Sequence, residues 1–157
     1  TRTQSPTVLL LSLMEYLRNK KATFDYSLEE TIETGIELLG TEVKSIKAHH
    51  GSLSGAYVSV VDGSLVLLGA HIPAWQDKNA PIDFDPYRSR PLLVHKKELV
   101  HINRVLKEKG LTLVPVSLYG KGRVIKLQMA IARGKKTFDK RATLKNRDLD
   151  REQRRGE

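Results

Sequence analysis

The chain has no cysteine, a single tryptophan and only 6% aromatic residues in 157 positions. Without thiols it can form no disulfide, no thiolate metal site and no cysteine nucleophile. Its five histidines (His49, His50, His71, His95 and His101) show neither HxxxH nor HExxH spacing, so each reads as a surface or packing residue rather than a metal ligand. No Gly-x-Ser-x-Gly elbow occurs, and Gly120-Lys121-Gly122-Arg123 carries only part of a phosphate-loop pattern. Asp83 and Asp85, in an Asp-Phe-Asp run, have the donors for a divalent ion, but two acids in a proline-rich loop more often serve turns. Nothing here supports a catalytic site, a metal or a cofactor. The longest apolar run, Val8 to Met14, is far short of the roughly 20 residues that span a bilayer.

What the chain has in quantity is positive charge. The 27 Lys/Arg against 18 Asp/Glu leave a net +9, which favours phosphate-rich partners. From Arg133 to Glu157 there are ten Lys/Arg and five Asp/Glu, so this last sixth carries +5 of the total. Only Ala142, Leu144 and Leu149 are apolar after Phe138, and they form no helical stripe. A segment with nothing to bury is expected to stay loose, or only partly helical, until an anionic partner orders it.

The remainder suits one domain. Residues 1–15 are read as an extension outside the fold, disordered or not native, with Met14 as the natural start. A transit-peptide remnant is the alternative, and would move the chain from the cytoplasm to an organelle. Ala22 to Leu39 alternates as a long bent strand, with Gly35 marking a bulge or a close backbone approach. Gly40-Thr41-Glu42 opens a short helix capped by Thr41, with Val43 and Ile46 inward and Lys44 and Lys47 outward. Asp62-Gly63 between two aliphatic runs predicts a tight type I′ hairpin. A proline-punctuated loop over 74–91 precedes an amphipathic helix over 92–109, whose apolar face is Leu92, Leu99, Ile102 and Leu106. Strands over 111–117 and 123–132 close the domain, joined by a hairpin tip with Lys121 and Arg123 exposed. Strands with a helix inserted before the last pair suggest a five- or six-stranded closed barrel of the OB type, with an open α+β sheet as the alternative. The domain is placed at 16–132 and the basic tail at 133–157.

Basic groups at Arg18 to Lys21, Lys44/Lys47, Lys96/Lys97, Lys121/Arg123 and the tail can together contact phosphates. Tyr16 and Tyr26 offer stacking surfaces, and Asn19, Glu33 and Glu42 offer groups for base edges. Each has an ordinary structural role open to it, the acids as partners of neighbouring lysines.

Five ordered motifs then narrow the reading. They are Asn19-Lys20-Lys21-Ala22, Gly40-Thr41-Glu42-Val43-Lys44-Ser45, Asp85-Pro86-Tyr87-Arg88-Ser89-Arg90, Lys107 to Pro115, and Gly134-Lys135-Lys136 through Asp139-Lys140-Arg141. From about Tyr16 to Arg155 the chain resembles the small protein B family, the SsrA-binding proteins of bacterial trans-translation. The resemblance implies an OB-like barrel that binds the tRNA-like domain of transfer-messenger RNA (tmRNA) one to one, as a cytoplasmic monomer. It implies RNA-facing positions at Asn19, Lys20, Lys21, Glu33, Glu42, Lys44 and Leu93, beside the Tyr26, Lys121 and Arg123 read from the residues. It also implies a tail that enters the decoding centre and empty messenger channel of the ribosome, through Lys135, Lys136, Phe138, Asp139, Lys140, Arg141, Lys145 and Arg147. Phe138 stands where family members commonly have histidine, and the distal tail lacks their bulky aromatic. A generic OB-type ribosomal or single-strand RNA binder is the alternative, with a small hydrolase behind it.

Overall fold

In the computed structural model, which describes residues 13–76, 82–135 and 137–155, the alternating stretches build seven strands. They are β1 (Leu13–Arg18), β2 (Tyr26–Ile36), β3 (Tyr57–Val61), β4 (Ser64–Leu68), β5 (Arg90–Leu93), β6 (Leu111–Lys121) and β7 (Val124–Gly134). The helices among the described residues are α1 (Lys20–Asp25), α2 (Gly40–Lys47), α3 (Lys96–Leu106) and α4 (Thr137–Arg155). All strand pairs are antiparallel, in the order β1-β6-β7-β2-β5-β4-β3.

The hydrophobic centre lies on β6 and β7. Leu113, Leu118, Leu127, Met129 and Ile131 are essentially inaccessible and join Ile46 of α2 and Ile102 of α3 in one cluster. β6 is buried on its other face too, where Val114 and Val116 meet Ala22 of α1, Ala130 and Ala132. Alternation lets β6 serve both clusters, and the register shift between Pro115 and Ser117 returns Leu118 to the face of Leu113, because an extra residue reverses which side chains point which way. Pro115 sits at that shift, where its missing N–H costs no ladder bond.

Several expectations hold and several change. The Asp62-Gly63 hairpin forms as read, both residues at positive φ (50° and 77°). The long β6–β7 hairpin turns through Gly122 (φ 63°) and Arg123. The expected closed barrel is an open sheet: β3 comes back alongside β6 but no ladder joins them. β1 begins at Leu13, inside the stretch read as an extension, and pairs with β6 from Leu13↔Lys121 to Arg18↔Ser117. The first part of the expected strand over 22–39 is instead α1, because the Asn19 side chain accepts from Ala22 N (3.2 Å) and starts a helical turn. The register irregularity of β2 falls between Leu28 and Glu30 rather than at Gly35. Gly35 marks the close approach, since a Cβ there would lie 3.1 Å from Leu93 Cβ. α2 begins after Leu39, so Thr41 is inside the helix; Glu42 does the capping, accepting from Leu39 N at 2.8 Å. Leu92 belongs to β5, not to the helix that follows, which starts at Lys96. Its spacing from Leu99 matched a helical face, but Pro91 and the pairing Ile36↔Leu92 place it in the sheet.

The tail, expected to stay loose or only partly helical, carries the helix α4 from Thr137 to Arg155. From Thr137 to Arg155 there is no glycine or proline, and Lys145/Asp148, Arg147/Asp150 and Asp148/Arg151 stand three apart with opposite charge. Propensity and such pairs support a helix whose described side chains are all exposed.

Glu42 is the pivot of the interior and is fully buried. Its carboxylate takes hydrogen bonds from Arg88 Nε (3.0 Å), Arg90 Nε (2.7 Å) and Leu39 N (2.8 Å). Arg90, also fully buried, spends its remaining donors on the carbonyls of Ala70 (3.0 Å), Arg88 (3.1 Å), Ile72 (3.4 Å) and Pro86 (3.1 Å). Burial pushes the Glu42 carboxyl up, but the hydrogen bond from Arg88, that from Leu39 N and the charge of Arg90 outweigh it, leaving it below its ordinary value. Burial pushes the Arg90 guanidinium down and Glu42 opposes this; the group stays cationic, and Glu42 sets the acid response.

Removing one member of a buried charge set leaves the others unpaired, which costs about 3–5 kcal/mol. Glu42→Ala is therefore expected to lower the unfolding free energy in urea by that amount, whereas Glu37→Ala, at an exposed acid, stays within about 0.5 kcal/mol. Loss of less than about 1 kcal/mol in the first variant would remove Glu42 from this role. The pH response follows in sign. A carboxyl depressed in the folded chain binds its proton more readily when unfolded, so its stabilisation is present above the ordinary value of 4.5 and is lost as pH falls through the lowered one. Acid titrations followed by circular dichroism should show a shallower loss of stability in Glu42→Gln than in the parent chain.

Candidate nucleic-acid interface

Glu33 and Gly35 lie two apart on β2 and so share a face of the sheet. Gly35 is opposite Lys126 of β7 on one side and Leu93 of β5 on the other. This register gathers Glu33, Leu93 and Lys126 around a groove of about 420 Å³, completed by Val94, His95 and Glu98. Gly35 keeps the groove open, since any side chain there would push on Leu93. Leu93 is 58% exposed, an apolar side chain facing water at the rim. Among the sequence-read residues, Glu33, Leu93 and Lys121 are brought together.

Glu33 is held by Tyr119, whose phenol donates to it, and by Lys121 Nζ at 3.1 Å. The Tyr119 hydrogen bond is the largest influence on its carboxyl; burial opposes it, and Lys121 and Lys126 reinforce it, leaving the carboxyl below its ordinary value. The same contact acts on Tyr119, whose phenol is pushed well up by burial and by the neighbouring carboxylate. Glu33 is therefore an ionised acceptor near neutral pH, fixed in direction by two donors from β6. Next to it, Glu30 pairs with His101 (2.9 Å) and Glu29 with Arg133 (3.3 Å), extending a rim of acceptors over a cationic surface. Such acceptors suit the amino groups of unpaired bases, while the cations suit phosphates.

Lys126 was missed at the sequence level. Its signal was available: on β7, Ile125, Leu127 and Met129 are buried, so the alternate positions Lys126 and Gln128 point the other way.

A second group surrounds α1. Lys20 and Lys21 are exposed, and Tyr26 is half-buried at the start of β2. Asn19 is 5% exposed, and its side chain is engaged inside the fold: it accepts from Ala22 N and donates to Pro115 O (2.9 Å). It orients α1 and its lysines. Glu42 requires the same correction, because a carboxylate enclosed by two arginines has no surface for RNA. Lys44 projects from α2 into solvent, and Arg123 is exposed at the β6–β7 turn.

In the tail, Lys135 N donates to Asp25 O (2.9 Å) and its Nζ to Thr23 O (3.2 Å). Arg147 reaches the same helix, donating to Thr23 Oγ1 (3.4 Å) with its guanidinium 5.8 Å from the Phe24 ring centre. Arg141 and Lys145 are exposed. Phe138, Asp139 and Lys140 lie in the first turn of α4, but their side chains, and all of Lys136, fall outside the described residues. No helix among the described residues is long and apolar enough to cross a membrane.

Residues 16–156 match the family model described as SmpB protein. The SsrA-binding protein of Chloroflexus aggregans is 43% identical over 134 residues, 85% of each chain. That of Lactobacillus delbrueckii subsp. bulgaricus is 44% identical over 138 residues, covering 88% of this chain and 90% of the relative. That of Prochlorococcus marinus subsp. pastoris is 48% identical over 134 residues, covering 85% and 77%. Among solved structures, a chain described as "tmRNA-SmpB: a journey to the center of the bacterial ribosome" superposes with a TM-score of 0.64 at 41% identity, covering 77% of this chain and 85% of that one. A match spanning the sheet and α4 alike, at this identity, means that the chain belongs to the SmpB protein family.

Proposed function

We propose that this chain is a non-enzymatic tmRNA-binding adaptor for ribosome rescue in the bacterial cytoplasm. The folded sheet holds the tRNA-like domain of tmRNA, and the tail tests whether the messenger channel of a stalled ribosome is empty. The observation that carries this reading is the groove of Glu33, Leu93 and Lys126, where a fixed carboxylate, an exposed apolar side chain and a cation meet on the rigid sheet. The family membership supports the choice of RNA, and the names of the relatives support the choice of tmRNA.

The parts divide the work by their physics. Glu33 is ionised and directed, so it accepts from base amino groups; Leu93 packs against an unstacked base or sugar; Lys126 and Lys121 neutralise phosphate. Lys20 and Lys21 extend the cationic track from the α1 side, and Asn19 keeps that helix in place. Arg123 adds a cation at the turn, Tyr26 a ring beside α1, and Lys44 a separate phosphate contact on α2. The tail residues Lys135, Lys136, Phe138, Asp139, Lys140, Arg141, Lys145 and Arg147 are assigned to the ribosome. There Phe138 can stack on a ribosomal base, but it has no hydrogen bond or titration to offer.

The reading is tested by titrating tmRNA, and a control tRNA, into the full chain and a version ending at Gly134, at several salt concentrations. Near-equal, tmRNA-selective binding by both is expected. Loss of binding on truncation, with no preference between the RNAs and a steep salt slope, would instead mark a polycationic arm and favour the generic single-strand binder. Among point variants, Glu33→Ala and Leu93→Ala should each weaken tmRNA binding by about tenfold, or about 1.4 kcal/mol. Asp139→Ala and Lys140→Ala should leave that affinity unchanged and lower tagging in a reconstituted stalled-ribosome assay. Identical behaviour of the two sets would end the division of labour.

A further inference from the structure

Away from the groove, α2 and two loops build a smaller cleft that the family reading does not use. Thr41 Oγ1 accepts from Trp75 N (2.6 Å) and donates to Trp75 O (3.4 Å), so one hydroxyl satisfies both backbone groups of Trp75. One turn on, Ser45 Oγ donates to Pro73 O (2.6 Å). The backbone of 73–75 is thereby fastened to α2, while the indole of the chain's single tryptophan stays partly exposed.

The opposite wall is His50. Its N–H bonds to Ser45 O (2.9 Å), and the preceding His49, at φ 61°, is held by a contact of Nδ1 with Tyr16 O (2.9 Å). Gly51 makes this turn possible, because it sits at φ 131° and a Cβ there would lie 2.8 Å from His71 O. The His50 and Trp75 rings end up 5.9 Å apart between centres and 33° from parallel. With Pro73, Ala74 and Gln76 they line an open-sided groove of about 330 Å³.

Two cations stand on the helix to which this loop is fastened: Lys44 follows Thr41 by three residues, and Lys47 is the last residue of α2, three before His50 in the chain. Both are exposed, and neither has an ion-pair partner among the described residues. The acid of the same helix, Glu42, faces inward and is already neutralised by Arg88 and Arg90.

We propose that the His50–Trp75 cleft is a stacking site for one unpaired RNA base, with Lys44 and Lys47 contacting the flanking phosphates. Aromatic faces beside a cationic track are the means by which single strands are held without base-edge readout. The site shares no residue with the Glu33–Leu93–Lys126 groove; Lys44 alone also belongs to the set that the family resemblance implies. It rests on the proposed function only for the choice of RNA as the polymer, and would let one RNA be gripped at two places or a second RNA be held.

Because Trp75 is the only tryptophan, its fluorescence reports this cleft alone. The full chain is titrated with a short oligoadenylate and with an abasic ribose-phosphate oligomer of the same length. Saturable quenching by the oligoadenylate and none by the abasic oligomer is expected. His50→Ala, at an exposed position, should weaken the quenching titration by about tenfold, with His50→Phe restoring it. Replacing Lys44 and Lys47 together by alanine should flatten its salt dependence by about two counterions. In a Glu33→Ala/Leu93→Ala variant the quenching should persist, so failure of the main groove and failure of this cleft read out differently. Absence of quenching, equal quenching by the abasic oligomer, an unchanged His50→Ala titration, or loss of quenching in the groove variant would each overturn the proposal.

Discussion

The enclosure of Glu42 by Arg88 and Arg90 is the constraint on which the rest of the structure depends. β5 has only four residues, yet it joins the sheet's two halves, pairing Gly35↔Leu93 and Ile36↔Leu92 on one side and Val66↔Pro91 and Leu67↔Arg90 on the other. Four pairings are a thin connection between β1-β6-β7-β2 and β4-β3. Arg90 strengthens it from within, because its guanidinium ties the carbonyls of Ala70, Ile72, Pro86 and Arg88 to the carboxylate of α2. Loop backbone that would otherwise lie buried and unpaired is satisfied by one side chain, and none of the described buried side-chain polar atoms lacks a partner. Leu93 is three residues beyond Arg90 on the same short strand, so the rim of the Glu33–Leu93–Lys126 groove inherits its position from this buried charge.

That dependence explains which parts of the fold were legible in the residues. Local signals were: Asp62-Gly63 demanded a tight turn, Val43 and Ile46 marked a helix face, and the two long runs after Gly110 could only be strands. Elements set by distant partners were not. β5 exists because β2 and β4 offer edges to a segment beginning Arg-Pro, and Leu92 had the right spacing for a helix that starts four residues later. α1 turns on one asparagine, whose cap bond competes with an alternating pattern that favoured a strand. Closure of the barrel was a reasonable inference from strand order, but whether β3 meets β6 depends on sheet curvature, which alternation does not encode.

The candidate site shows the same split. Glu33 and Glu42 are both acids, one in a strand and one at a helix start, and their neighbours do not tell which is buried; nine residues apart, one faces the groove and the other the interior. The motif carried both as RNA-facing, and burial reassigns Glu42 to support. Asn19 moves likewise from contact to cap. Lys126 went the other way: a lone lysine in an aliphatic strand drew no attention until the register placed it opposite Gly35. Positions that hold a site in place leave as strong a sequence pattern as positions that touch the ligand, and only burial distinguishes them.

The tail helix leans on the fold through few described contacts. Among its described side chains, α4 contributes none to either buried cluster, and Leu144 and Leu149 remain about half exposed (47% and 48%). Its described contacts with α1 come from Lys135 at its root and from Arg147, which meets the Thr23 hydroxyl and the Phe24 ring. An exposed cation–π contact contributes about 0.5–1 kcal/mol, and a surface hydrogen bond little more. Release of α4 from α1 therefore costs little beside what the ribosomal RNA of the proposed function would return to a segment with ten cations from Arg133 onward. Lys135 is held more firmly, by a backbone bond to Asp25 and a side-chain bond to Thr23, so the chain is tied to α1 just past the end of the sheet. The helix beyond is already formed, so the entropy of ordering it is met before any partner arrives.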